Sequence, residues 1–322
     1  MEIILQIIFI IIGFVILVKS ADIFLDGAIN FAYNFKIPAV IVGLTIVAFG
    51  TSAPEAAISI LTLASGKGGA SLGNIVGSNV FNILGIIGVS ALLGTLTVDK
   101  ILIKRDFPFL VISTIGLLII AYYYKKIDFL VGLLFLIIIL AYVYYLIKKT
   151  KEDKEAMAEE VEAKFTIKKS SIYIILGIAG IGIAAKVIEH FTGSLGSHYG
   201  LSDTFMGITV LAMGTSLPEL VTSVNALKKG ENGIVVGNVL GSSIFNILFI
   251  IGISSTINFE IPISIFPIDI VNVFIMTVVT IIGAWFTYTK NEVDKKEGLA
   301  LIILYILFIM FNILIELKTI AF

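Results

Sequence analysis

Residues 43–88 align with residues 207–252 without a gap, and 23 of the 46 positions are identical. Apolar bias alone does not produce this, because the identities fall largely on Gly, Ser, Thr, Asn, Pro and Glu; the chain carries an internal duplication. Both copies lie in apolar sequence. Runs long enough to cross roughly 30 Å of hydrocarbon lie near residues 3–33, 38–64, 71–94, 107–124, 127–147, 170–199, 203–227, 234–256, 266–288 and 297–317. One polar stretch, 148–169, divides these ten runs into five and five. Five is odd, so the second copy enters the membrane upside down relative to the first. That is an inverted repeat, whose shared site lies near the midplane.

Composition decides what the runs become. With 58% hydrophobic and 14% charged residues, the chain has too little polar surface for a soluble globule. Lipid cannot satisfy an open strand edge, and the runs are continuous instead of alternating, so helices prevail over a barrel. The expectation is an all-α integral membrane protein of ten transmembrane helices in two inverted-topology repeats of five. The first repeat covers 1–147 and the second 170–322, joined by a solvated linker at 148–169. The N-terminal stretch lacks a basic n-region and a small-x-small cleavage site, so it reads as a retained first span.

Loop charges give the orientation. With the N-terminus outside, the inner loops hold 16 Lys and Arg and the outer loops 4, with Lys19 and Lys186 inside spans. This bias predicts a multi-pass protein of the cell membrane with both termini extracellular and the central loop cytoplasmic. No basic stripe interleaved with aromatics points to nucleic acid. The chain has no cysteine and two histidines. Thiolate metal sites and Cys nucleophiles are excluded, and an intramembrane metalloprotease would need an HExxH helix that is absent. No enzyme activity and no cofactor are expected; the partners are ions and the lipid bilayer.

The chemistry lies in the duplicated segment. Pro54 and Pro218 sit in mid-span, where proline removes a helix hydrogen bond, freeing the carbonyls of Gly50 and Gly214 and tilting those of Thr51 and Thr215. Next to them stand Ser52 with Glu55 and Ser216 with Glu219. A carboxylate at membrane depth is costly, and two at matched positions read as a paired cation site. On the following span Asn74, Ser78 and Asn82 recur every fourth residue, as do Asn238, Ser242 and Asn246, each trio forming one polar stripe. Asn74 and Asn238 are as readily explained as hydrogen-bonding glue between helices; Ser78, Asn82, Ser242 and Asn246 read as ligands. Gly73 with Gly77 and Gly237 with Gly241 are small-xxx-small pairs suited to close packing on the broken neighbours. Hard oxygen ligands suit Ca²⁺ and Na⁺ over Zn²⁺ or Cu²⁺. Competition of Ca²⁺ and Na⁺ for one carboxylate pair is the simplest physical basis of exchange.

The paired GTSAPE and GTSLPE segments, with GNIVGSNVFNI and GNVLGSSIFNI, resemble the α-1 and α-2 repeats of the cation/calcium exchanger superfamily, most nearly its prokaryotic sodium/calcium exchangers. The resemblance implies the sodium/calcium exchanger fold. It implies a central Ca²⁺ site from Glu55, Glu219 and the carbonyls of Thr51 and Thr215. Ala48, Ser52 and Ser78 would form one flanking Na⁺ site and Ala212, Ser216 and Ser242 the other, with Asn82 and Asn246 at the middle. Several relatives, including the potassium-dependent exchangers, have Asp where this chain has Asn246, which argues against K⁺ transport. The proton-coupled relatives typically carry GN-x-x-E, whereas GNIVG and GNVLG carry no acid.

The first and sixth spans are long and hold charges, Lys19, Asp22 and Asp26 in one and Lys186, Glu189 and His190 in the other. Snorkelling of Lys19 and its pairing with Asp22 suffice for the individual charges. The resemblance implies that the two helices slide across the site. His190 and His198 do not read as ligands, and Trp285 reads as an interface anchor. The expected function is electrogenic, K⁺-independent Na⁺/Ca²⁺ antiport by alternating access. A Ca²⁺/H⁺ antiporter is the alternative, ahead of a Ca²⁺ channel or an intramembrane enzyme.

Overall fold

In the computed structural model, which describes residues 3–35, 48–152, 163–228 and 232–320, the chain is almost entirely helical. Helix α1 is Ile3–Asn34. Ala48–Thr51 and Ala53–Ala64 together form α2, broken at Ser52. Next come α3 (Gly68–Leu93), α4 (Leu102–Tyr123) and α5 (Phe129–Glu152). The second half repeats this order with α6 (Ile167–Tyr199), α7 (Asp203–Lys228, broken at Ser216), α8 (Asn232–Ile257), α9 (Pro267–Lys290) and α10 (Lys295–Ile320). Among the described residues nine helices are long and apolar enough to cross a membrane; Ala53–Ala64 is apolar but shorter. Residues 38–47 of the expected second span, and the middle of the linker, lie outside the described residues.

Two short ribbons reveal the inversion. Strand β1 (Leu96–Thr97), between α3 and α4, pairs antiparallel with β4 (Glu292–Val293), between α9 and α10. Strand β2 (Lys126–Ile127), between α4 and α5, pairs with β3 (Ile263–Ser264), between α8 and α9. Connections after odd-numbered helices therefore meet one another, and so do connections after even-numbered ones. The repeat counterpart of β1 is β3, and the two lie in different ribbons, as an upside-down second half requires. Lys125 and Asn291, both left-handed at φ 54°, turn the chain into β2 and β4. Beyond these strands the Asp128 carboxylate accepts the Val131 N–H, and that of Asp294 accepts the N–H groups of Lys296 and Glu297. Each caps the helix that follows, α5 or α10.

The interior combines a large apolar core with many buried polar residues, and the outer surface is apolar. Every residue of α3 from Gly69 to Gly88 is buried, and α8 is buried without a break from Ser242 to Leu248. Missing side chains permit close contact in this core. A Cβ on Gly73 would lie 2.7 Å from the Thr204 carbonyl oxygen, and one on Gly77 2.6 Å from that of Ile208, so α3 lies directly on the first turns of α7. Gly237 has nothing within 4 Å among the described residues.

Helices α1 and α6, of 32 and 33 residues, pack antiparallel along their length at the edge of this core. Gly27 meets Tyr173 and Ser170, Gly177 meets Phe24, and the rings of Phe9 and Phe191 stack at 4.8 Å. Ile4, Ile11, Ile175 and Ile183 point outward, as lipid-facing residues do.

Several helix ends differ from the expected runs. Helix α4 starts at Leu102 instead of 107, taking Lys104 and Arg105 out of the loop. Arg105 stays at the helix end by pairing with Asp106 at 2.9 Å, and Asp106 also accepts the Tyr142 hydroxyl. Helices α5 and α6 reach into the ends of the linker, at 148–152 and 167–169, where nothing in the local sequence breaks a helix.

Candidate cation site

The two helix breaks are alike to within a few degrees, Ser52 at φ −86°, ψ 6° and Ser216 at φ −85°, ψ 9°. Sequence reading puts the break of each helix at its proline. Instead the chain stops at the serine, and Pro54 and Pro218 fall in the first turn of a new helix, where the lost N–H has no partner to miss. Glu55 and Glu219 follow directly, also in the first turn, where backbone N–H groups favour a negative charge. Each carboxylate therefore starts a helix inside the bundle, and both are buried, at 1% and 0% exposure.

The hydrogen bonds cross between halves. Ser216 donates to Glu55 Oε1 at 3.0 Å, and Ser52 donates to Glu219 Oε1 at 3.4 Å, with Ser242 adding a contact to Glu219 at 3.5 Å. Thr215 donates to Asn74 Oδ1 at 3.2 Å and Thr51 to Asn238 Oδ1 at 3.4 Å. The amide nitrogens of Asn74 and Asn238 return to their own halves, to Ser59 at 3.0 Å and Ser223 at 3.3 Å, and to the Glu55 and Glu219 carbonyls, both at 3.4 Å. Asn74 and Asn238 thus brace α2 and α7 against α3 and α8. Ser78 donates to the Ala212 carbonyl at 3.4 Å, and Ser242 meets the Thr51 hydroxyl at 3.4 Å.

Helices α3 and α8 each widen into a π-helical turn at the site, Phe81–Ile86 and Asn246–Ile250, carrying Asn82 and Asn246. Such turns insert one residue into the α-helical ladder and are frequent at functional sites. Between them Asn246 Nδ2 donates to Asn79 Oδ1 at 3.0 Å and Asn82 Nδ2 to the Ser243 hydroxyl at 3.4 Å.

Four acceptors remain. Glu55 Oε2, Glu219 Oε2, Asn82 Oδ1 and Asn246 Oδ1 are buried and have no hydrogen-bond partner among the described residues. They form two matched pairs, one from each half. Buried acceptors are ordinarily satisfied, and a carboxylate at membrane depth is costly unless paired. The set offers only oxygen, from carboxylates, amides, hydroxyls and carbonyls, which suits a hard cation.

Of the residues expected at the site, Ser216 meets Glu55, Ser52 and Ser242 meet Glu219, Thr51 meets Ser242, and Ser78 and Thr215 meet the Ala212 carbonyl, while Asn82 and Asn246 bond Ser243 and Asn79. Ala48 opens α2 at the edge of the described residues. Sequence reading missed Ser59, Ser223, Asn79 and Ser243. The first two are identical in the repeat, one turn beyond each glutamate, and that identity could have flagged them. Asn79 and Ser243 are matched in position but not in type, so a search for identities passes over them. His190 stands against the Phe191 ring, and Glu189 pairs with Lys67 at 2.6 Å. Trp285 is 64% exposed on the outer surface, as an anchor requires.

Residues 5–148 and 169–314 match the family described as sodium/calcium exchanger protein. The antiporter-named CaxA of Alkalimonas amylolytica is 37% identical over 257 residues, covering 78% of this chain and 80% of its own. Sodium/calcium exchanger MaX1 of Methanosarcina acetivorans is 29% identical over 343 residues, covering 92% and 95%. Among solved structures, the sodium-calcium exchanger NCX_Mj soaked with 2.5 mM Na⁺ and 1 mM Sr²⁺ superposes with a TM-score of 0.68. It is 27% identical, over 96% of this chain and 99% of that one.

Proposed function

The chain belongs to the sodium/calcium exchanger protein family, and we propose that it is a Na⁺/Ca²⁺ antiporter that uses inward Na⁺ flow to expel Ca²⁺ by alternating access. The observation that carries this reading is the set of four unpartnered oxygens, two carboxylate and two amide, at matched positions of opposite halves. Two carboxylates balance one Ca²⁺. The same oxygens with Ser52, Ser78, Ser216 and Ser242 around them serve several Na⁺, but not while Ca²⁺ is bound. The exchanger names of MaX1 and NCX_Mj support Na⁺ as the counter-ion.

Energetics favour an electrogenic cycle. A tenfold Na⁺ gradient is worth about 1.4 kcal/mol per ion, so two Na⁺ sustain a Ca²⁺ gradient of about a hundredfold. Three Na⁺ add one net inward charge worth about 2.3 kcal/mol per 100 mV, and the sum sustains a gradient on the order of 10⁴ or more. In this reading both termini are extracellular, the linker is cytoplasmic and the membrane is the cell membrane. The long α1 and α6, packed chiefly on each other, are the pair that moves past the site. Neutral Asn82 and Asn246 support K⁺ independence.

The deciding experiment loads proteoliposomes with Ca²⁺ and imposes first a Na⁺ gradient and then a pH gradient. Na⁺-driven efflux that is electrically stimulated supports the reading. Efflux driven by the pH gradient alone would replace it with Ca²⁺/H⁺ antiport, and efflux needing no counter-ion would indicate a channel.

A further inference from the structure

Asn82 and Asn246 reach the site as amides, and an amide can present either end. Its oxygen attracts a cation and its NH₂ repels one. In both residues the nitrogen end is held, by Ser243 and Asn79 respectively, and the oxygen end is left without a partner. The holders therefore decide what the site presents to an ion.

These holders are matched positions of the repeat, used crosswise: Asn79 of α3 grips Asn246 of α8, and Ser243 of α8 grips Asn82 of α3. They do not grip equally. Asn79 is itself locked, because its Nδ2 donates to the Ser243 carbonyl at 3.2 Å and only its Oδ1 can face Asn246. A serine hydroxyl rotates and can give or accept a hydrogen bond, so Ser243 holds Asn82 loosely. Asn79 is 1% exposed and Ser243 0%, so neither amide end has water as a ready substitute partner.

Resting on the reading of Asn82 and Asn246 as cation ligands, we propose that Asn79 and Ser243 are positioning residues that fix the two amides oxygen-inward. Asn79 makes Asn246 the rigid ligand, and Ser243 leaves Asn82 able to adjust between ions of different size and charge.

The test uses the purified full chain, with Ca²⁺ binding measured at equilibrium and half-saturating Ca²⁺ measured for flux in proteoliposomes. Asn79→Ala is expected to weaken Ca²⁺ by about 10- to 100-fold, the usual loss when the partner orienting a metal ligand is removed. Asn79→Ser, which copies the chemistry at position 243, is expected to recover most of that loss. In an Asn246→Ala background, adding Asn79→Ala is expected to change Ca²⁺ affinity little further, because the ligand that Asn79 orients is then gone. Wild-type affinity in Asn79→Ala, or a further loss of the same size in the double variant, would overturn the assignment. If Asn79→Ala does not fold, Ser243→Ala with and without Asn82→Ala supplies the same cycle. Wild-type protein that binds Ca²⁺ but ignores a Na⁺ gradient would undo Na⁺ coupling and leave this inference standing; wild-type protein that binds no Ca²⁺ would overturn the ligand reading beneath it.

Discussion

Around Glu55 the hydrogen bond from the opposite half comes from Ser216 at 3.0 Å; around Glu219 it comes from Ser52 at 3.4 Å, with Ser242 adding a contact at 3.5 Å. The residue types are the same on both sides and the helix breaks match to a few degrees. The difference therefore lies in how the halves sit on each other. The serine on Glu55 lies closer than either serine on Glu219. The two copies of the segment are set unequally around their carboxylates.

The largest expected effect tests what the half-sites share. Glu55→Gln and Glu219→Gln each preserve shape and remove charge, so each is expected to abolish Ca²⁺ flux in proteoliposomes while the protein remains folded. Retained flux in either variant would break the equivalence and the cation assignment with it.

The next tests what they do not share. Ser216→Ala removes the 3.0 Å hydrogen bond on Glu55 and is expected to raise half-saturating Ca²⁺ by about tenfold, the worth of a hydrogen bond to a charged group. Ser52→Ala leaves Ser242 in place and is expected to cost less. A Ser52→Ala loss equal to that of Ser216→Ala would show that the distances do not matter.

Packing gives a third contrast, read as thermal stability without added Ca²⁺. Gly77→Ala forces a Cβ to within 2.6 Å of the Ile208 carbonyl oxygen and of the Ala212 side chain. It is expected to destabilise by about 1–3 kcal/mol through overpacking. Gly116→Ala, with open space around it, serves as the control. Equal melting temperatures for the two variants would dismiss the close approach of α3 to α7.

The smallest effect concerns the matched caps on opposite sides. The Val131 N–H, with Lys126 beside it, holds the Asp128 carboxyl below the usual carboxylate range. The Glu297 N–H does the same for Asp294, helped by Lys290 and the Lys296 N–H. A carboxyl with a lowered folded-state pKa contributes stability above its unfolded pKa, and that contribution is lost as pH falls through the folded value. Asp128→Ala combined with Asp294→Ala should flatten the acid limb of the melting-temperature profile slightly and leave neutral-pH flux unchanged. An unaltered acid limb would remove the caps from the account.

Much of this molecule is legible in its residues, for reasons specific to each. Glu55 and Glu219 stand out because charge in apolar sequence is costly wherever the helix packs, so no contact map is needed to notice them. The small polar residues around them stand out because they recur 164 positions later. The ribbons do not, since two-residue strands carry no period. Asn79 and Ser243 do not, since their role lies in a partner on another helix and their types differ.

Composition and the count of apolar runs settle that the chain is a helical membrane protein. The odd number of runs in each half settles that the second copy is inverted, because crossing parity requires no knowledge of packing. Contacts between distant residues belong to the folded molecule alone. Glu55 is held by Ser216, 161 residues away, and not by Ser52 three residues before it. A repeat specifies two equal sets of parts. Which part of one set meets which part of the other is decided only when α3 and α8, brought together at the centre of the bundle, press the halves together.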